Sequence, residues 1–112
     1  ELPGNDPHVY LVLGGEQGIR CGMVFAEELR EAVPGLRIQT NCGGGSFKSQ
    51  FKRADRSGAG IALVIGDDEA ALGQVAFKPL RGAGEQEVLA RQDVAGRLGR
   101  VLDLQLNKLV DE

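Results

Sequence analysis

Gly43, Gly44 and Gly45 stand directly before Ser46, Phe47 and Lys48. Three adjacent glycines permit positive φ and close backbone approach, and Ser46 is a good N-cap. The segment therefore reads as a turn that delivers free N–H groups to the start of a helix, where the amides and the helix dipole attract anions. The nucleotide pattern G-x-x-x-x-G-K-[ST] is not met, because Lys48 does not follow the last glycine. Gly14-Gly15-Glu16-Gln17-Gly18 likewise misses G-x-G-x-x-G. A tight strand-to-helix turn is the plainer account of the glycine triplet.

A second candidate is the helix that this turn opens. Lys48, Lys52 and Arg56 recur at i, i+4 and i+8, with Arg53 nearby and Asp55 the one acid between Lys48 and Arg56. In a chain of net charge −3 that cationic face is either a solvated surface or a dock for phosphates. Phe47 and Phe51 can stack on bases, although their i, i+4 spacing suits a core-facing stripe better. A third candidate pairs Glu69, just past the most apolar strand, with Lys78 on the next one. Both are placed to point into one shallow cleft, offering an acceptor and a donor to base edges; a surface salt bridge is the simpler alternative.

Other chemistries have little to stand on. Cys21 and Cys42 form no C-x-x-C pair and His8 is the one histidine, so no four-ligand zinc site is visible. Two cysteines read as reduced cytosolic thiols rather than a disulfide scaffold, and a Cys–His nucleophile has no support beyond the presence of the residue types. No metal and no catalytic constellation are expected here.

The elements that must position these candidates follow from periodicity. Val9–Leu13 is a continuous apolar run ended by Gly14-Gly15, as in a strand buried on both faces. Ile19, Met23, Ala26, Leu29 and Val33 recur at helical spacing, and Pro34-Gly35 stops that helix. Leu36–Thr40 alternates as a half-exposed strand. The Ser46-capped helix runs to about Ser57, with Phe47, Phe51 and Ala54 as its apolar face and Gly58 closing it. Ile61–Ile65 is the expected centre of the sheet. Gly66-Asp67-Asp68-Glu69 turns into a short helix. Residues 74–79 and 85–90 read as two strands joined by a hairpin at 81–84. Asp93 caps a last helix carrying Val94, Leu98, Val101, Leu102 and Leu109.

The expected fold is α/β: a mixed five-stranded sheet flanked by helices on both faces. The early crossovers favour parallel pairing and the hairpin requires antiparallel pairing. With 112 residues, 42% of them hydrophobic and 26% charged, the chain has the size and composition of one globular domain. Residues 1–7 read as a linker, 8–107 as the domain and 108–112 as a frayed tail. The start lacks an initiator Met and a signal-peptide pattern, as expected of a domain cut from a longer protein. No run approaches the ~18 apolar residues of a membrane helix, and no membrane partner is expected.

The run Thr40-Asn41-Cys42-Gly43-Gly44-Gly45-Ser46-Phe47-Lys48-Ser49-Gln50-Phe51-Lys52-Arg53-Ala54-Asp55 resembles the signature of the C-terminal anticodon-binding domain of bacterial histidyl-tRNA synthetase. The resemblance continues through Ala59–Gly66, Glu69, Gly73, Lys78, Leu80-Arg81 and Gly84-Glu85-Gln86, and covers about residues 8 to 104. It implies the class II synthetase anticodon-binding fold and a grip on the anticodon stem-loop of tRNA(His). It also implies a parent enzyme joining histidine to tRNA with ATP and Mg in an N-terminal catalytic domain, homodimeric and cytoplasmic, with no cofactor in this domain. In threonyl relatives, the Glu of the Gly-Asp-x-Glu turn and a basic residue on the next strand contact the anticodon. Those positions fall on Glu69 and Lys78, and Asn41 matches a polar contact residue before the second helix. The relatives carry Arg where this chain has Lys78, and Lys makes no planar two-point contact. Two rival readings are a flavodoxin-like module holding a phosphorylated small molecule at Gly43–Lys48, and a domain that only supports the parent's oligomer.

Overall fold

Two strands are apolar at every position, and both lie inside the sheet. β1 (Val9–Leu13) and β3 (Ile61–Ile65) are buried throughout and pair in parallel, Val9 beside Ile61 through Leu13 beside Ile65. The computed structural model describes residues 6–40, 45–81 and 84–102. β2 (Ile38–Thr40) joins the outer side of β1 in parallel, ending with Thr40 beside Leu11. β4 (Gln74–Pro79) pairs antiparallel with β3, and β5 (Glu87–Ala90) antiparallel with β4. The order is β2-β1-β3-β4-β5: the expected mixed five-stranded sheet, with Ile61–Ile65 at its centre.

Strand alternation divides the core between two faces. On one face Leu11, Leu13, Leu63, Ile65 and Phe77 pack with α1 (Gly15–Ala32) and α4 (Val94–Leu102), through Phe25, Leu29, Val94 and Leu98; Ala70 of α3 (Asp67–Leu72) joins them. On the other, Tyr10, Val12, Ala62, Val64 and Ala76 pack with Ala54 and Phe51 of α2 (Phe47–Ser57).

Four boundaries or faces differ from the sequence expectation. Helix α1 begins at Gly15 rather than Ile19, and it buries Gly18, Gly22, Phe25, Ala26 and Leu29, while Ile19 and Met23 are exposed. The cause is close packing: a Cβ on Gly18 would lie 2.6 Å from the Ile65 carbonyl oxygen, and one on Gly22 2.4 Å from the Leu13 side chain. The glycine side of the helix therefore sits on the sheet. β2 is shorter than expected, since Leu36 is spent in the core before the strand starts. β5 starts at Glu87 rather than Glu85. A single 3-10 turn, Arg91–Asp93, precedes α4, and Val101 is exposed. Leu109 and the proposed tail lie outside the described residues.

Candidate functional site

The C-terminal ends of β1 and β3 lie side by side, each followed by a glycine, and the Gly14 N–H donates to the Ile65 carbonyl at 3.0 Å. Phe47, the first residue of α2, covers both turns with its ring. A Cβ on Gly14 would stand 2.7 Å from that ring, and one on Gly66 3.4 Å. Phe47 is 41% exposed, so it is a surface plate over the strand ends and not the core residue its i, i+4 spacing with Phe51 suggested.

The turn after β3 is built by its own carboxylates. Glu69 Oε1 accepts from the Gly66 N–H at 2.8 Å, a carboxylate reaching back to the residue before the helix as in half of a capping box. Asp67 Oδ1 accepts from the N–H groups of Gln17 and Gly18 at 3.0 and 3.1 Å. It supplies α1 with the N-terminal acceptor that Gly14, lacking a side chain, cannot give. Gly15 opens α1 at φ +75°, tight against Asp67. Gly14, Gly15, Gly45, Phe47, Gly66, Asp67, Asp68 and Glu69 enclose an open depression of about 460 Å³. Its ionisable lining is acidic. That field opposes a phosphate and favours groups that present N–H donors, such as base edges.

A second depression lies on the α2 face of the sheet. Ser46 Oγ accepts from the Ser49 N–H at 3.2 Å and Gly58 closes the helix at φ 85°, so both caps stand where the sequence placed them. Lys48, Phe51, Lys52 and Asp55 from α2 meet Lys78 and Leu80 there, with Lys78 Nζ 4.9 Å from the Phe51 ring centroid. Arg56 is exposed on α2 and outside this lining. Arg81 donates to the Asp55 carboxylate at 3.3 Å and to its carbonyl at 2.8 Å.

Glu69 and Lys78 therefore do not share one cleft. β4 runs antiparallel to β3, which sets Lys78 beside Ala62 near the start of β3, whereas Glu69 follows its end. The structure brings Glu69 together with Phe47 and Gly45, and Lys78 together with Lys48 and Lys52. Asn41, Gly43 and Gly44 lie outside the described residues.

Two residues that shape the site were not singled out in the sequence. Gln50 is fully buried; its Oε1 accepts from the Leu13 N–H at 2.9 Å, and its Nε2 donates to the carbonyls of Leu13 at 2.7 Å and Gly45 at 3.0 Å. Its position between Phe47 and Ala54 on one helical face was the available signal. Asp67 gave a weaker one, as an acid following the glycine that ends the central strand. Among the described residues no group of three or more His, Cys, Asp or Glu could hold a metal ion, and no helix is long and apolar enough to cross a membrane.

Residues 9–100 match the anticodon binding domain family. The chain is 55% identical over 85 residues, 76% of its length, to the histidine–tRNA ligase of Hydrogenovibrio crunogenus, of which it covers 20%. It superimposes on the histidyl-tRNA synthetase of Nostoc sp. PCC 7120 with a TM-score of 0.79 at 32% identity, covering 90% of this chain and 24% of that one. For the S. aureus histidyl-tRNA synthetase the values are 0.73 and 26%, with 87% and 24% covered. The chain thus spans about a fifth to a quarter of the length of these relatives.

Proposed function

This chain belongs to the anticodon-binding domain family, and from that premise we propose that it grips the anticodon stem-loop of tRNA(His) on behalf of a histidine–tRNA ligase. The observation that carries this reading is the family match over residues 9–100, which takes in all five strands and both depressions. Bases meet the acidic depression around Gly45, Phe47 and Glu69, and Asn41, Gly43 and Gly44, which precede Gly45 in the sequence, are assigned to the same RNA contact. Phosphates meet the cationic α2 face, with Lys48, Lys52 and Arg56. The division follows from charge: acceptors select N–H-bearing base edges, and ammonium groups select the backbone.

The joining of histidine to tRNA, with its ATP and magnesium, belongs in this reading to a catalytic portion of the longer polypeptide. No residue of this chain is assigned to those groups. The whole protein acts as a cytoplasmic homodimer. The small-molecule reading finds no favouring observation, because Gly45 borders an acidic depression rather than an anion cradle.

The test measures binding of the 112-residue chain to the tRNA(His) anticodon stem-loop, to the same stem-loop with a permuted anticodon, and to AMP, at one fixed salt concentration. Tighter binding of the cognate loop is expected. Equal affinity for both loops overturns anticodon recognition, and binding of AMP alone restores the small-molecule reading.

A further inference from the structure

The geometry points to a phosphate-holding depression formed by Lys48, Lys52 and Lys78 around Phe51, which takes the sugar-phosphate backbone of RNA and makes Lys78 a backbone contact rather than a base reader. This deepens the anticodon-binding reading and rests on it.

Three of the chain's four lysines meet at this one place. Lys48 and Lys52 arrive one turn apart on α2 and Lys78 arrives from β4. None of the three is in an ion pair among the described residues, whereas Arg20, Arg30, Arg81, Arg91 and Arg97 are each paired with a carboxylate. The one carboxylate in the lining, Asp55, is engaged by Arg81 at 3.3 Å. Gathered ammonium groups without internal counter-charges repel one another, and an anion that spans them relieves the repulsion. Lysine meets a phosphate as a hydrated point charge and needs no fixed planar geometry. The ring face of Phe51 is already occupied by the Lys78 ammonium at 4.9 Å, which steadies that cation and leaves the ring poorly placed to stack on a base. Phe51 and Leu80 offer apolar wall to the carbon faces of the sugars. A depression of about 430 Å³ open along the surface suits a strand passing through it.

The test is a salt titration of stem-loop binding with Lys48→Gln, Lys52→Gln and Lys78→Gln, singly and together, beside Lys78→Arg and Arg20→Gln. Arg20 lies on α1, away from the depression. Each Lys→Gln change should flatten the plot of log affinity against log salt by about 0.7 and weaken cognate and anticodon-permuted loops by the same factor. Lys78→Arg should keep the slope, and Arg20→Gln should not alter it. An unchanged slope in the triple variant, a change in anticodon discrimination on Lys78→Gln, or equal flattening by Arg20→Gln overturns the inference.

A second probe separates this inference from the reading beneath it. An abasic deoxyribose-phosphate strand carries the backbone charges and no bases. Binding of that strand with the same lysine dependence, by a protein indifferent to the anticodon, would refute anticodon recognition and leave the phosphate depression standing. Failure to bind that strand overturns the depression even where the stem-loop binds.

Discussion

The side-chain amide of Gln50 pairs with Leu13 as a neighbouring strand would, taking the backbone N–H at 2.9 Å and giving to the carbonyl at 2.7 Å. The described pairing of β2 with β1 ends at Leu11 and Thr40, and further along that edge the buried backbone groups of Leu13 meet Gln50 instead. One glutamine from α2 satisfies them and fixes the helix against the strand end, with Phe47 one turn earlier over Gly14.

Replacing Gln50 by Met keeps the bulk and orphans the buried groups of Leu13. A loss on the order of 3 kcal/mol is expected, since each buried group left unpaired costs about 1–3 kcal/mol. Urea unfolding should show a lower midpoint with the slope unchanged. An unaltered midpoint would mean that water replaces the amide without cost.

Asp67→Ala removes both the acceptor and the negative charge at the start of α1, for a loss of about 1 kcal/mol. Asp67→Asn keeps an acceptor and should lose less. Amide exchange at Gln17 and Gly18 should accelerate more than exchange at Leu29, which lies far from the cap. Uniform acceleration along α1 would show a global loss instead.

Two glycine-to-alanine changes should have opposite signs. At Gly18 the new methyl meets the Ile65 carbonyl, and overpacking of ~1–3 kcal/mol exceeds the ~1 kcal/mol gain in helix propensity. At Gly96 of α4 a Cβ meets nothing within 4 Å, so Ala there should stabilise by about 0.5–1 kcal/mol. Thermal midpoints moving the same way for both would contradict the packing argument.

His8 ties β1 to the segment before β2, its Nδ1 accepting from the Arg37 N–H at 3.0 Å. Burial, and then the charge of Arg37, hold its pKa below the ordinary 6.5. The unfolded chain therefore binds this proton more readily than the folded one. The stability that depends on neutral His8 is complete above 6.5 and falls as pH drops from 6.5 towards the lowered folded value. His8→Asn offers an oxygen in place of Nδ1 and does not titrate, so its stability should be flatter across that window. Parallel pH profiles for the two proteins would remove His8 as the cause.

Glu69→Gln keeps an oxygen for the Gly66 N–H and turns the other carboxylate position into a donor. If bases are read in the acidic depression, the ratio of cognate to anticodon-permuted affinity should change by about tenfold, within the ~1–3 kcal/mol of a base-edge contact. Total affinity should move less. Competition binding at fixed salt measures both; a uniform drop in affinity would make Glu69 a purely structural cap.

The central strands and α2 were legible in the sequence for chemical reasons. Val9–Leu13 and Ile61–Ile65 are apolar at consecutive positions, and Ser46 and Gly58 mark helix ends by side-chain chemistry and backbone freedom. The start and face of α1 were hidden because Gly18 and Gly22 carry no hydrophobic signal and the cap comes from Asp67, remote in sequence. Phe47 read as core because periodicity cannot tell a buried ring from one lying over a glycine surface. Glu69 and Lys78 were placed together because neighbouring strands were known but the distance travelled along antiparallel β4 was not. That geometry, more than residue identity, separates the acidic depression from the lysines.

Asp67 closes α1 from fifty residues further along the chain, and this sets an order of assembly. A polypeptide made from its N-terminus has the whole of α1 available long before the carboxylate that secures its first turn exists. β1 likewise waits for β3, the partner along its full length. The end of β3 at Ile65 and Asp67 shortly after it therefore complete three things at once: the parallel pair, the seat for Gly18 against Ile65, and the lock on α1. Native contacts at the start of α1 should be among the late ones to form, after chain closure across about fifty residues has been achieved. The strand ends that border the acidic depression are thus also expected to be the last part of the parallel half of the fold to become rigid.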